Sequence, residues 1–336
     1  MKKFTCIVLL VFLVFSTSPI QSQTLIAVQN STSSSFYASL DSAIVHAVAG
    51  DFIYLPGGNF TISKPINKKL QIIGVGHNPD SCVSTRITQV TGEFTINSGS
   101  DHGSITGIKI PGSISLNSII YYSIERCNLN SISIATNSTN ILVNECVIHG
   151  SISGSESLGF QLTKCIVDGS SVYGFIAKTY IINNIFMSPL YLGAAWESKH
   201  RIQGCFFKNN IFLSTVTYNS SSTIDNLFQN NLFNSGITLT SSNGTLHNNI
   251  VGPVTDLFKN KTKALFDYDQ DYHILTTSPA HNAGTDKTDL GIYGTASPWK
   301  EGSVPDNPHI QKLIPQSVST AAGNLDVKIK VAAQDF

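Results

Sequence analysis

Charge is what this sequence has little of. Asp, Glu, Lys and Arg make up 12% of 336 residues, about half the share in an ordinary globular protein. With 21 basic and 21 acidic side chains the formal net charge is zero. No long-range field therefore draws the chain to nucleic acid or to an acidic lipid surface. Apolar runs long enough to cross a bilayer are also missing. The longest, Cys6 to Phe15, falls well short of the about 20 residues a span needs. Lys2 and Lys3 precede that run and small polar residues follow, so residues 1–22 read as an export signal. A secreted or cell-surface protein with no membrane span is expected. Cys-x-x-Cys and Cys/His pairs at zinc-ligand spacing are absent too. Five cysteines remain after Cys6, an odd number. Three of them sit at a long, equal spacing, unlike the dense frameworks of small disulfide-bonded domains. They read as buried thiols, with a disulfide between neighbours as the alternative.

What is present is a repeat. Take Cys127, Cys146, Cys165, Asn184, Asn210, Asn231 and Asn249 as anchors, spaced by 19, 19, 19, 26, 21 and 18 residues. Three positions before each stands an apolar residue: Ile124, Val143, Leu162, Ile181, Phe207, Phe228 and Leu246. Two positions after each stands another: Leu129, Ile148, Val167, Phe186, Phe212, Phe233 and Val251. A period near 20 with inward apolar residues around a small polar anchor describes a solenoid with one coil per repeat. Buried Asn is costly unless its amide is bonded. Coils stacked about 4.8 Å apart answer that, each Asn bonding the next. The cysteines then stand in for Asn as small buried side chains.

Before the repeat, Leu40, Ala43, Ile44, Ala47 and Val48 fall at helical spacing and stop at Gly50. After it, Leu325, Val327, Ile329 and Val331 alternate with Asp326, Lys328 and Lys330. This predicts a half-buried strand, paired across Gly323-Asn324 with residues 309–318 in a hairpin.

Two stretches carry a family resemblance. Residues 49–60, Ala-Gly-Asp-Phe-Ile-Tyr-Leu-Pro-Gly-Gly-Asn-Phe, are followed by Leu70-Gln71-Ile72-Ile73-Gly74-Val75-Gly76. Together with the helix, the match over Tyr37 to Gly76 resembles the N-terminal cap and first coils of the pectate-lyase-like superfamily. Asp271-Tyr272-His273-Ile274-Leu275, residues 278–284 and Asp289-Leu290-Gly291-Ile292-Tyr293 resemble the closing segment of secreted bacterial β-helix proteins, where it marks the last coil. The resemblance implies an all-β right-handed parallel β-helix with an N-terminal capping helix and a C-terminal β-hairpin extension. The expected boundaries are 1–22 for the signal, 23–296 for the β-helix and 297–336 for the extension.

The same resemblance implies a polysaccharide partner, an acidic one in particular. Members that hydrolyse such polymers carry clustered Asp with a Gly-His-Gly turn, and this chain has no Gly-His-Gly, Asp-Asp or Asn-Thr-Asp. A lyase-type reaction therefore ranks above hydrolysis, with calcium as the cofactor such lyases use. For that chemistry the candidates are Lys164, Asp168 and His149: a base beside groups able to hold a cation. Lys164 belongs to a column one residue before the anchors, with Arg126 and Glu145. His149 and Asp168 belong to a column three after. The plain alternative for Arg126, Glu145 and Lys164 is a ladder of alternating charge that neutralises itself between coils. The one long insertion, residues 188–204, carries Tyr191, Trp196, His200 and Arg201. Aromatic faces suit sugar rings and a guanidinium suits carboxylates, so these four are the substrate-binding candidates. A non-catalytic scaffold or adhesin, docking a surface partner through the C-terminal hairpin, is the competing function.

Overall fold

The computed structural model describes residues 25–193, 200–218, 221–237, 243–306, 309–315, 322–324 and 327–332. Residues 1–22, expected to be an export signal, and Trp196 lie outside that set. The chain is a parallel β-solenoid of about 9 turns, consistent with the expected right-handed β-helix. Each full coil contributes one strand to each of three parallel sheets. Sheet A runs from Phe52–Tyr54 to Gly244–His247, and sheet B from Gly58–Thr61 to Ile250–Val251. Sheet C runs from Phe94–Asn97 to Val216–Tyr218. At the N-terminal end, Ile26–Gln29 pairs antiparallel with both Phe52–Tyr54 and Ser34–Tyr37.

The repeat register is the strand register. Ile124, Val143, Leu162, Ile181, Phe207, Phe228 and Leu246 pair in sequence along sheet A. The residues two after the anchors do the same along sheet B. An eighth copy precedes the seven, with Ile105, Ile108 and Ile110 in the corresponding positions and all buried. Inside, Phe186, Phe212 and Phe233 stack with ring centroids 4.8 and 4.7 Å apart. Parallel stacking of like residues puts identical flat faces in contact, which favours offset aromatic pairs. The last copy differs. Leu246 and Val251 are exposed, because Gly244–His247 and Ile250–Val251 are the terminal strands of their sheets among the described residues.

The anchor column forms a continuous ladder. Each backbone N–H donates to the side chain one coil on. Cys127 donates to Cys146 Sγ and Cys146 to Cys165 Sγ, both at 3.4 Å. Cys165, Asn184, Asn210 and Asn231 donate to Asn184, Asn210, Asn231 and Asn249 at 2.8–2.9 Å. The Asn amides in turn donate back to carbonyls such as Leu162 and Ile181. Every buried polar group in the column has a partner, as burial requires. Cys82, Cys127, Cys146, Cys165 and Cys205 are free thiols, so the buried-thiol reading holds over the disulfide. Cys205 starts a second, shorter ladder at another corner: its N–H donates to Asn226 Oδ1 at 3.0 Å.

The helix spans Leu40–His46, one turn shorter than its apolar spacing suggested. Ser39 caps its start by accepting from Ser42 N–H, while Ala47 is already extended and Val48 is exposed. Leu40, Ala43 and Ile44 join the core.

Two expectations need correction. The segment thought to mark the last coil does not stack on the end of the solenoid. After a short antiparallel pair, Phe258–Asn260 with Asp271–Ile274, it runs back along the outside of sheet B as a strap. Its course is tracked by the residues just before the anchors. Asn230 Nδ2 donates to the Ala283 carbonyl, Asn183 Nδ2 to that of Gly291, Lys164 Nζ to that of Ser297, and Arg126 Nη1 to that of Val304. The strap buries Leu257, Tyr272, Ile274, Ala280, Leu290, Ile292 and Trp299 against Val147, Ile166, Ile185, Ile211 and Leu232. That column, one after the anchors, is apolar on the outer face because the strap dries it.

The second correction concerns the C-terminal hairpin. His309–Pro315 does pair antiparallel with Val327–Ala332, but the second strand is not half-buried. Val327, Ile329 and Val331 are all exposed, Ile329 at 56%, and none of them joins either core. A two-stranded ribbon has no second layer to cover its apolar stripe.

Candidate functional site

The structure separates the three catalytic candidates into two settings. Lys164 sits at the corner between sheets A and B in a left-handed conformation. The whole column from Arg126 to Asn248 shares it, with φ between 50 and 57°. Asn adopts that region readily, whereas Arg, Glu and Lys do so at a cost. Their side chains explain why it is tolerated. Glu145 accepts from Arg126 Nε at 2.9 Å and from Lys164 Nζ at 2.8 Å, and Arg126 also binds Asp306 on the strap. The glutamate side chain is only 3% exposed and that of Lys164 13%. This is the self-neutralising ladder, and it is buried rather than solvent-facing, because the strap lies over it. Lys164, held by Glu145 and the Ser297 carbonyl, makes no hydrogen bond to His149 or Asp168.

His149 and Asp168 do meet, on the outer edge of sheet B beneath the strap. Their side chains approach at 3.1 Å (Nδ1 to Oδ2), and His149 Nε2 lies 3.2 Å from Asn128 Oδ1. Both ring nitrogens thus face oxygens. Asp168 is buried, and both its oxygens also accept from Phe266 N–H at 3.1 Å. Asn128 Nδ2 donates to Tyr268 Oη at 3.1 Å. Tyr268 Oη in turn donates to the His77 carbonyl and lies 2.8 Å from His77 Nδ1. The chain of contacts from Asp168 to His77 pins the strap to the solenoid.

Electrostatics follow burial here. His77 is fully buried, which pushes its pKa down to about 3, helped by its neighbours Lys109 and His149. Tyr268 is pushed up to about 12 by burial. Neither is poised as an acid or base near neutral pH, so the network reads as a clasp more than as a proton relay.

The substrate-binding candidates gather on sheet C. The insertion leaves and rejoins that sheet: Leu190–Leu192 and Ile202–Gln203 both pair with Ser171–Ile176. Tyr191 pairs opposite Ser171 and is 37% exposed. Tyr173, two residues along on the neighbouring strand, meets the ring of His200 edge-on at 4.7 Å. Arg201 donates through Nε and Nη2 to Glu156 Oε1, which occupies two of its five N–H groups. Tyr191, His200 and Arg201 therefore lie on the same sheet. Tyr173 and Glu156 were missed. They lie in other coils, and only the register brings them beside the insertion. Among the described residues no group of three or more His, Cys, Asp or Glu is placed to hold a metal ion.

No protein-family model matches this chain, and no curated protein does either.

Proposed function

We propose that this protein is an exported β-helix of pectate-lyase-like kinship that binds a polysaccharide across the outer face of sheet C. The observation that carries the reading is the cluster of Tyr173, Tyr191, His200 and Arg201 on sheet C. Exposed aromatic faces stack on sugar rings, and a guanidinium with donors to spare pairs with a uronate carboxylate. A rigid solenoid holds these groups at fixed spacing, so little ordering entropy is lost on binding.

The test is calorimetry of the purified protein against uronic-acid oligosaccharides, in parallel with an assay for unsaturated products. Binding to one acidic series, weakened at least tenfold by Tyr191→Ala and by Arg201→Ala, is expected. Absence of affinity for any glycan would overturn the reading. Appearance of unsaturated product on calcium addition would convert it to the lyase. The scaffold reading has its own supporting observation, the exposed stripe of Val327, Ile329 and Val331. It predicts capture of a surface partner that is lost with Ile329→Ser, and no glycan binding.

A further inference from the structure

Beneath the strap the outer face of sheet B carries one apolar column. Val147, Ile166, Ile185, Ile211 and Leu232 occupy the position one after successive anchors. One coil earlier the same position is Asn128, and its partner in the preceding coil is Lys109. The strap changes character at the matching place, where Phe266-Asp267-Tyr268 crosses over. Between them lies an open groove of about 450 Å³, lined by Lys109, Asn128, Asn130, His149, Phe266 and Tyr268 among others. That volume is in the range of small-ligand sites.

Three features describe its occupant. The aromatic wall is fixed before anything binds: Phe266 and Tyr268 meet edge-on at 4.9 Å. The Phe266 N–H is held by Asp168, and the Tyr268 hydroxyl by His77 and Asn128. Such a wall accepts the flat side of a six-membered ring. The second feature is charge. Of the acidic side chains, only Asp267 lines the groove, and it is paired with Lys263 at 2.6 Å. The Lys109 ammonium makes no ion pair or hydrogen bond among the described residues. The unneutralised charge in the groove is therefore positive. The third is the exposed Asn130 amide, a donor and acceptor for a hydroxyl.

We propose that this groove is a second binding site, separate from the face on sheet C, for a single carboxylate-bearing six-membered ring. Lys109 pairs with the carboxylate while Phe266 and Tyr268 cover the ring. Both sugar acids and aromatic acids have this chemistry, and Asn130 favours the hydroxyl-bearing one.

Titration of the full chain with galacturonate, benzoate and glucose, followed by tyrosine fluorescence and calorimetry, tests it. Saturable binding of one or both acids is expected, with glucose at least tenfold weaker. Lys109→Met and Phe266→Leu should each weaken the acid at least tenfold. Tyr191→Ala and Arg201→Ala should leave it unchanged, whatever they do to polysaccharide binding. Melting curves matching the parent show that the Lys109→Met and Phe266→Leu chains are folded. Glucose binding as tightly as galacturonate, neither acid binding, or full affinity in Lys109→Met would each overturn the proposal. Loss of monomer binding in Arg201→Ala would also overturn it, by placing the acid on sheet C.

Discussion

Glu145→Ala is the sharpest test of the buried ladder. In the folded chain this carboxylate is enclosed and accepts from both Arg126 and Lys164. Removing it leaves two cations side by side under the strap. Breaking a buried ion pair by deleting one partner costs about 3–5 kcal/mol, because the remaining charge is left uncompensated. Two terms pull the value down. Arg126 keeps Asp306, which is partly exposed, and the Val304 carbonyl. Lys164 keeps the Ser297 carbonyl. The lower end, about 3 kcal/mol, is therefore expected. It should appear as a lower urea midpoint with unchanged slope, since the surface exposed on unfolding is the same. The triple change Arg126→Met, Glu145→Leu, Lys164→Met supplies the contrast. It removes the three charges of the ladder while keeping volume and leaves only the partly exposed Asp306, and such replacements are often neutral or stabilising by about 1–4 kcal/mol. Glu145→Ala within about 0.5 kcal/mol of the parent, the range of ordinary surface changes, would refute the buried ladder. A triple variant less stable than the single one would refute the account of why it matters.

Three other outcomes follow from the fold. Cys146→Asn should leave the melting temperature nearly unchanged, since Asn fills the same ladder position in four other coils; Cys146→Leu should overpack the corner and cost about 1–3 kcal/mol. Equal losses in the two melts would contradict the ladder. His77 should make the protein acid-sensitive: the unfolded chain takes up a proton below about 6.5 while the buried ring resists until about 3. Its contribution is therefore complete above 6.5 and is lost as pH falls towards 3, at up to about 1.4 kcal/mol per pH unit. His77→Gln should flatten the parent's stability profile in that window, and parallel profiles would count against it. Ile329→Ser should change the melting temperature of the solenoid negligibly, because its side chain packs into neither core; a clear loss of stability would show that the hairpin packs on the coils.

The sequence determined the coil by itself. Strand, corner and inward face are set within a few residues of each anchor, so the pattern around Cys127, Cys146, Cys165 and the four Asn contained the register. The hairpin pairing was legible from alternation on one side of a Gly-Asn turn. The outer face was legible only in part. Consecutive apolar pairs such as Val147-Ile148, Ile166-Val167 and Ile211-Phe212 signal strands buried on both sides, yet they do not say what lies on top. Only the tertiary structure decided that residues 257–306 lie over sheet B. That choice turned Arg126, Glu145 and Lys164 from a solvent-facing column into a dry one. It also brought Asp168 to the Phe266 N–H and Tyr268 to His77, 191 residues away in the chain. Contacts of that span depend on which surfaces are left apolar once the coils have stacked, and no local spacing records them.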